Sequence, residues 1–173
     1  MKNKTDQLLK IMNYVSWIVF IGLLIKVGTI ITTYFISINN EEAAKNLFGG
    51  LDLSSYREFS FVQYSFIVSY KVFLYASEAY VALLVAKLLG KLDLKNPFNV
   101  TVHQLMEKIS YSILSIWIVA ILHNAQVRHI AKKNGLPMDL FSSDFIFLAG
   151  VIFIFAQILK RGIEIQSEND LTI

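Results

Sequence analysis

The 173-residue sequence contains no cysteine, only two prolines and comparatively few charged residues. Without cysteine, the chain has no disulfide framework, no cysteine-based zinc finger and no thiol nucleophile. Charged residues make up 17% of the chain, against roughly 25% in an ordinary soluble domain. The eight glycines are too few for a collagen-like repeat, and thirteen phenylalanines and eight tyrosines argue against disorder. These absences leave a hydrophobic, helical class of protein.

Hydrophobic residues form 55% of the chain and raise its mean hydropathy to +0.53. A helix needs about 20 mainly apolar residues to cross a bilayer. Four such segments lie at about residues 14–36, 62–86, 109–127 and 142–160. Neither proline falls within them, and open sheets cannot satisfy their edges in lipid. We therefore predict an all-α integral membrane protein, a single four-helix transmembrane bundle over residues 1–173.

The distribution of lysine and arginine predicts the orientation of the chain. The two tails and the second connection, between segments two and three, carry nine of these residues, whereas the first and third connections carry five. Positive residues concentrate on the cytosolic side, so we expect both termini in the cytosol. The basic stretch 128–133 lies on the opposite side of the membrane. It reduces the excess of lysine and arginine on the side of the termini. No basic stripe indicates direct binding of nucleic acid.

The first connection, about residues 39–60, is acidic and contains the pair Gly49-Gly50. We interpret it either as a solvated connector or as a loop with a short surface helix over Glu41–Phe48. In the second connection, proline disfavours helix at Asn96. A new helix then begins at Asn99 or, through a capping box, at Thr101.

Apolar residues recur at helical spacing beyond this proline, at Val102, Leu105, Met106 and Ile109. They are typical either of a helix entry lying at the lipid interface or of a docking surface for a cytosolic partner. The tail beyond Arg161 turns acidic and ends in apolar residues. It is either a recognition tail or a frayed terminus.

Two short blocks carry a family resemblance. The block Leu-Asp-Leu-Lys-Asn-Pro-Phe-Asn at 92–99 and the closing Glu-Ile-Gln-Ser-Glu-Asn-Asp-Leu-Thr-Ile at 164–173 resemble the bacterial membrane family of domain of unknown function 2975. The resemblance implies a small four-helix protein of the bacterial cytoplasmic membrane with no established activity. Members are often encoded beside a helix-turn-helix DNA-binding protein, which suggests a cytosolic regulator as partner. Lys71 and Glu78 depart from the common pattern of the family.

Ionisable residues inside a membrane segment are costly and usually face the protein interior. Lys26 and Glu78 lie about 18 Å and about 14 Å from the cytosolic end at the rise of a helix, so we predict that they pair. Lys71 lies nearer the outer surface and is expected to snorkel. Tyr75 shares the helical face of Lys71 and Glu78, and His123 lies at a similar depth to Lys71. The predicted intrabundle polar cluster is Lys26, Lys71, Tyr75, Glu78 and His123.

Two interpretations of this cluster stay open: a structural pair that sets helix register, and a ligand or proton site. The three histidines are scattered along the chain, so we expect no metal site and no cofactor. No nucleophile with a base and oxyanion donors is recognisable, so we do not expect an enzyme.

The sequence therefore predicts a non-enzymatic accessory or regulatory protein of the bacterial inner membrane, whose surroundings include the lipid bilayer. It would dock a small helix-turn-helix regulator through the second connection and the C-terminal tail. The candidate docking residues are Asp93, Asn96, Pro97, Phe98, Leu105, Glu168, Asp170 and Leu171. The alternative is a small-molecule binder or transport component that uses the polar cluster. The oligomeric state does not follow from the sequence.

Overall fold

The computed structural model describes residues 4–92, 99–142 and 146–170, with side chains in the last helix described as far as residue 168. The helices are α1 (Lys4–Asn39), α2 (Ser54–Phe59), α3 (Phe61–Lys91), α4 (Val100–Asn134) and α5 (Ile146–Asp170), with a 3-10 turn at Glu41–Lys45. The described ranges contain no strand. The prediction of an all-α protein is confirmed.

Four of these helices, α1, α3, α4 and α5, are long and apolar enough to cross a membrane. Their apolar side chains face outward to an unusual degree: Ile18 is 69% exposed and Phe147 is 78% exposed. A soluble protein would bury such residues, whereas lipid solvates them. The helices therefore indicate a multi-pass membrane protein.

The helices extend beyond most of the predicted spans. α1 begins ten residues before the predicted start at residue 14, and α4 covers residues 100–134 instead of 109–127. The described part of α5, Ile146–Asp170, extends ten residues beyond the predicted end at residue 160. These helices continue into polar residues at their ends. They can do so because the backbone hydrogen bonds form within the helix whether or not lipid surrounds it.

Local chemistry sets both ends of α4. Asn99 Oδ1 accepts a hydrogen bond from the Thr101 amide at 2.8 Å, so the helix starts at the first of the two predicted positions. At the other end Gly135 has φ +68° and the Leu136 amide bonds to the Ala131 carbonyl at 3.2 Å. A left-handed glycine closes the last carbonyls in this way and turns the chain out of the helix.

The chain divides into two compact units. The terminal unit contains Met1–Phe20, Tyr80–Ser115 and Asp144–Ile173, and the loop unit contains Ile21–Ala79 and Ile116–Ser143. We describe each by itself.

The terminal unit has a small apolar core around Leu84, Ile109, Ile113 and Ala149. Helices in this unit are also joined by hydrogen bonds from side chains to backbone carbonyls. Asn13 Nδ2 donates to the Ala86 carbonyl at 2.6 Å, and Ser110 Oγ donates to the Ala149 carbonyl at 2.9 Å. Such bonds hold membrane helices together. They are needed because lipid tails are as apolar as the side chains of a neighbouring helix, so apolar contact alone gives little drive to associate.

The loop unit has a larger core, and the first connection forms part of it. Leu47, Leu53 and Tyr56 are at most 1% exposed. Their backbone is tied back by bonds from the Leu47 amide to the Leu51 carbonyl and from the Leu53 amide to the Ala44 carbonyl, both 2.9 Å. The interpretation of this segment as a solvated connector is therefore wrong. The other interpretation is correct in part, because the predicted helix over 41–48 is only a 3-10 turn over Glu41–Lys45.

Candidate functional site

Lys71 of α3 lies inside the loop unit, with 1% of its surface exposed. Its Nζ is 2.7 Å from Oδ2 of Asp139. Asp139 lies in the third connection, between α4 and α5, whose described residues are 135–142. The prediction that Lys71 snorkels is therefore wrong. A buried ammonium needs a counter-charge, and a carboxylate supplied by the chain itself removes the need to reach the membrane surface.

Asn124 of α4 holds the third connection at a second point. Its Nδ2 donates to the Phe141 carbonyl at 2.8 Å, and its Oδ1 accepts from the Phe141 amide at 2.9 Å. Tyr56 holds a third point, since its hydroxyl donates to the Pro137 carbonyl at 2.6 Å. Burial, and to a smaller extent Asp139, raises the pKa of Tyr56, so the phenol stays a donor.

The ring of Phe141 lies at the centre of the polar groups. His123 meets it edge-on with ring centroids 5.0 Å apart, and the ring of Tyr75 is 5.5 Å away. Lys71 Nζ is 4.7 Å from the same ring centroid. Three of the predicted cluster residues therefore meet, and what they meet around is an aromatic residue of the third connection.

His123 is fully buried, with 0% of its surface exposed. Its Nδ1 lies 3.3 Å from Asn124 Oδ1, and its ring also contacts Tyr70 edge-on at 5.9 Å. Within the part of the chain that the structure describes, His123 Nε2 has no hydrogen-bond partner. A buried nitrogen without a partner costs about 1–3 kcal/mol, so it calls for an explanation.

Lys26 and Glu78 do not form the direct ion pair that the sequence predicts. Among the described residues, no carboxylate lies within 4 Å of Lys26 Nζ. The ammonium lies instead over the ring of Tyr75, 3.5 Å from its centroid, and Glu78 is a half-buried residue that interacts with Lys26 electrostatically. The face of the Tyr75 ring attracts the ammonium electrostatically and so replaces part of the stabilisation that a carboxylate would give.

The sequence reasoning missed Asp139 as a member of the cluster. Asp139 follows Lys71 by 68 residues in an irregular segment, so helical spacing carries no signal for the contact. The only available signal was the need of Lys71 for a counter-charge.

The candidate docking residues have a different outcome. Asp93, Asn96, Pro97, Phe98 and Leu171 lie outside the described residues. Leu105 packs against the apolar core of the terminal unit, and Ile109 belongs to that core. Val102 is also buried, so this repeat is a buried face of the helix. Glu168 lies in an exposed part of α5, and Asp170 is the last described residue of that helix.

In the described ranges, no group of three or more histidine, aspartate or glutamate side chains is arranged to hold a metal ion. The cluster in the loop unit is instead made of one ion pair, one backbone-clamping amide, one histidine and aromatic rings. Such a set can bind a polar group in an apolar surrounding.

Comparison with known proteins gives a family and nothing more specific. The model of a family described as "Protein of unknown function (DUF2975)" matches residues 2–173. No curated protein and no solved structure matches the chain.

Proposed function

Since the chain belongs to the DUF2975 family, we propose that it is a non-enzymatic regulatory protein of the bacterial cytoplasmic membrane that binds a small molecule in the loop unit. The four long apolar helices support residence in a membrane. The excess of lysine and arginine in the tails and the second connection supports an orientation with both termini in the cytosol.

One observation carries the choice of site: the third connection covers a set of polar side chains that the helices bring into the loop unit. It is held there by the Lys71–Asp139 ion pair and by two hydrogen bonds between Asn124 and the Phe141 backbone. Irregular backbone at a membrane span is tolerated where it lines a cavity or is buried in protein, and ionisable residues there usually serve function. The groups pair with one another and leave His123 incomplete, which favours binding over catalysis.

The proposal is tested by purification from native bacterial membranes in mild detergent, followed by mass spectrometry of the retained small molecules. The double variant Lys71→Met with Asp139→Leu removes both charges of the cluster without leaving one unpaired. Ser110→Ala in the terminal unit is the matched control. We expect a molecule retained by the wild type and the control and lost from the double variant. Equal retention by all three, or retention of no molecule, would contradict the proposal.

The orientation has its own test, because the chain contains no natural cysteine. Ser167→Cys places a thiol on the exposed end of α5, and Glu58→Cys places one on the exposed side of the first connection. In intact cells, a membrane-impermeant maleimide should label the cysteine at 58 and spare the one at 167. The reverse pattern would invert the proposed orientation.

A second candidate function is the docking of a cytosolic DNA-binding regulator, and α5 is the observation that favours it. The helix continues from Arg161 to Asp170 beyond its apolar part, and Ile165 on it is 46% exposed. Arg161 and Glu164 form an exposed ion pair on this extension at 3.0 Å. Deletion of residues 164–173 should abolish capture of a helix-turn-helix protein while the chain still inserts in the membrane. Capture by the shortened chain would exclude this candidate.

A further inference from the structure

An apolar groove opens on the outer surface of the loop unit. Its volume is about 400 Å³, and it is lined by Phe66, Ser69, Tyr70 and Phe73 of α3 and by Val119 of α4. Phe66 is 55% exposed and Phe73 is 48% exposed, so the groove faces whatever solvates the helices, which in a membrane is lipid. The Ser69 hydroxyl already donates to the Ser65 carbonyl at 2.8 Å. Aromatic surface therefore dominates the groove.

Tyr70 belongs both to this groove and to the polar cluster. Its ring lines the groove and also meets the ring of His123 edge-on at 5.9 Å. The ring of His123, whose Nε2 has no hydrogen-bond partner among the described residues, is thus one aromatic ring away from a surface that faces lipid. Half-buried Tyr70 is the side chain that separates the two.

The hydrogen-bond network assigns the tautomer of His123. The amide of Asn124 is oriented by the Phe141 backbone, because its Nδ2 faces a carbonyl and its Oδ1 faces an N–H. The atom 3.3 Å from His123 Nδ1 is therefore an acceptor, and Nδ1 must carry the proton. In the neutral imidazole, which is the form that a buried site favours, Nε2 is then a hydrogen-bond acceptor.

We propose that the groove and His123 together bind a membrane-dissolved amphiphile whose head is an aromatic ring bearing a hydroxyl group, such as a prenylquinol. In this proposal a rotamer change of Tyr70 opens the groove to His123. The ring of the ligand then packs among Phe66, Tyr70 and Phe73, and its hydroxyl donates to His123 Nε2. This inference rests on the proposed small-molecule site and names the class of its ligand and the side from which the ligand enters. A quinone offers only carbonyl acceptors to Nε2, so the site distinguishes the reduced from the oxidised ring.

The test uses two probes that differ by one hydrogen-bond donor, 4-hexylphenol and its methyl ether 4-hexylanisole. Each is titrated calorimetrically into the full chain in nanodiscs of synthetic phosphatidylcholine, with protein-free nanodiscs as the reference for partitioning into lipid. We expect the phenol to bind about tenfold more tightly, which is the effect of one buried hydrogen bond. A decyl-substituted benzoquinol and its benzoquinone should show a preference in the same direction.

Three variants separate the two parts of the site. His123→Phe should abolish the preference for the phenol, and Ser110→Ala in the terminal unit should leave it unchanged because Ser110 is not part of the groove. Val119→Trp fills the groove from α4 and should block both probes. If His123→Phe fails to fold, the comparison of the two probes on the wild type still decides the inference.

Equal binding of phenol and ether would overturn this inference and leave the proposed function standing. The same holds if neither probe binds while the native-membrane purification still yields a retained molecule of another class. If neither probe binds and no molecule is retained, both the inference and the proposed function fail.

Discussion

The two units both bury polar side chains, but they use them differently. In the terminal unit, side chains on one helix bond to another helix: Ser110 donates to the Ala149 carbonyl at 2.9 Å and His103 Nδ1 donates to the Ala156 carbonyl at 2.9 Å. In the loop unit, helix side chains hold an irregular connection, as Lys71 holds Asp139 and Asn124 holds Phe141. In its described part, the terminal unit is joined helix to helix. The loop unit also has bonds between helices, such as Ser37 with Tyr64 at 2.8 Å, and adds bonds from helices to an irregular connection.

Two buried histidines, one in each unit, illustrate this difference. Both ring nitrogens of His103 in the terminal unit lie near an acceptor, Nδ1 at 2.9 Å from the Ala156 carbonyl and Nε2 at 3.5 Å from Glu107 Oε2. His123 in the loop unit uses one nitrogen and leaves Nε2 unpartnered among the described residues. A fully bonded polar network makes a fold rigid, whereas a buried group without a partner calls for an explanation. This contrast supports the proposal of a ligand site in the loop unit.

The strongest way to break the comparison is to remove the counter-charge of Lys71. Asp139→Asn should lower the free energy of unfolding by about 3 kcal/mol, because it leaves a buried ammonium without its carboxylate. The double variant Lys71→Met with Asp139→Leu should recover most of that loss. Thermal unfolding in mild detergent measures both. A double variant as unstable as Asp139→Asn would show that the ion pair does not hold the third connection.

The next prediction is that loss of the Asn124 side chain destabilises mainly the third connection. Asn124→Leu removes two hydrogen bonds to the Phe141 backbone and should cost about 2 kcal/mol. It should also make residues 136–142 sensitive to a broad-specificity protease. Ser110→Ala, its counterpart in the terminal unit, should cost about 1 kcal/mol without new cleavage in that stretch. Cleavage that is unchanged in the Asn124 variant would show that the connection does not depend on this amide.

The two histidines should respond unequally to the same substitution. His103→Phe leaves the Ala156 carbonyl without its donor and should destabilise the protein by about 1.5 kcal/mol. His123→Phe should change stability by about 0.5 kcal/mol or less in ligand-free protein, since it also removes a buried nitrogen that lacks a partner. Thermal unfolding of lipid-depleted samples makes the comparison. Equal losses would remove the contrast between the units.

The smallest expected effects lie at Lys26. Tyr75→Leu removes the aromatic face beneath the ammonium and should cost about 1 kcal/mol. Glu78→Gln should cost less, because no direct contact joins Glu78 to Lys26. The free energies of unfolding of the two variants, measured under the same conditions, show whether Tyr75 or Glu78 stabilises Lys26 more. A larger loss for Glu78→Gln would restore the ion pair predicted from the sequence.

Much of the helical architecture was predictable, and the reason is visible in individual segments. Residues 14–36 contain one charged residue, Lys26, so a long apolar helix follows from the cost of leaving backbone groups unbonded in lipid. The end of α4 was harder, since Gly135 and Pro137 terminate a helix that continues through the basic stretch before them. The prediction for the first connection was wrong because its acidic residues suggest exposure to solvent. Leu47, Leu53 and Tyr56 in the same segment are buried.

The candidate site was predictable only as a set of residue types. Burial costs mark Lys71, Glu78 and His123 as residues that need partners, and their spacing places Lys71, Tyr75 and Glu78 on one face. Depth along a helix gave the wrong partner for Lys26, because a one-dimensional estimate of depth does not include rotation about the helix axis. The docking residues at 93–98 stay a prediction, since they lie outside the described part of the chain.

The runs of apolar residues are sufficient to derive four membrane helices, and two short blocks at 92–99 and 164–173 are sufficient to indicate the family, because both depend on local sequence alone. The partner of each buried charge and the fate of each connection are decided only in the folded chain. Asp139 reaches Lys71 from 68 positions away, and Phe141 becomes the centre of the cluster because Asn124 binds its backbone. Such contacts depend on directions in space that no periodicity along the sequence records, since irregular segments have no fixed spacing.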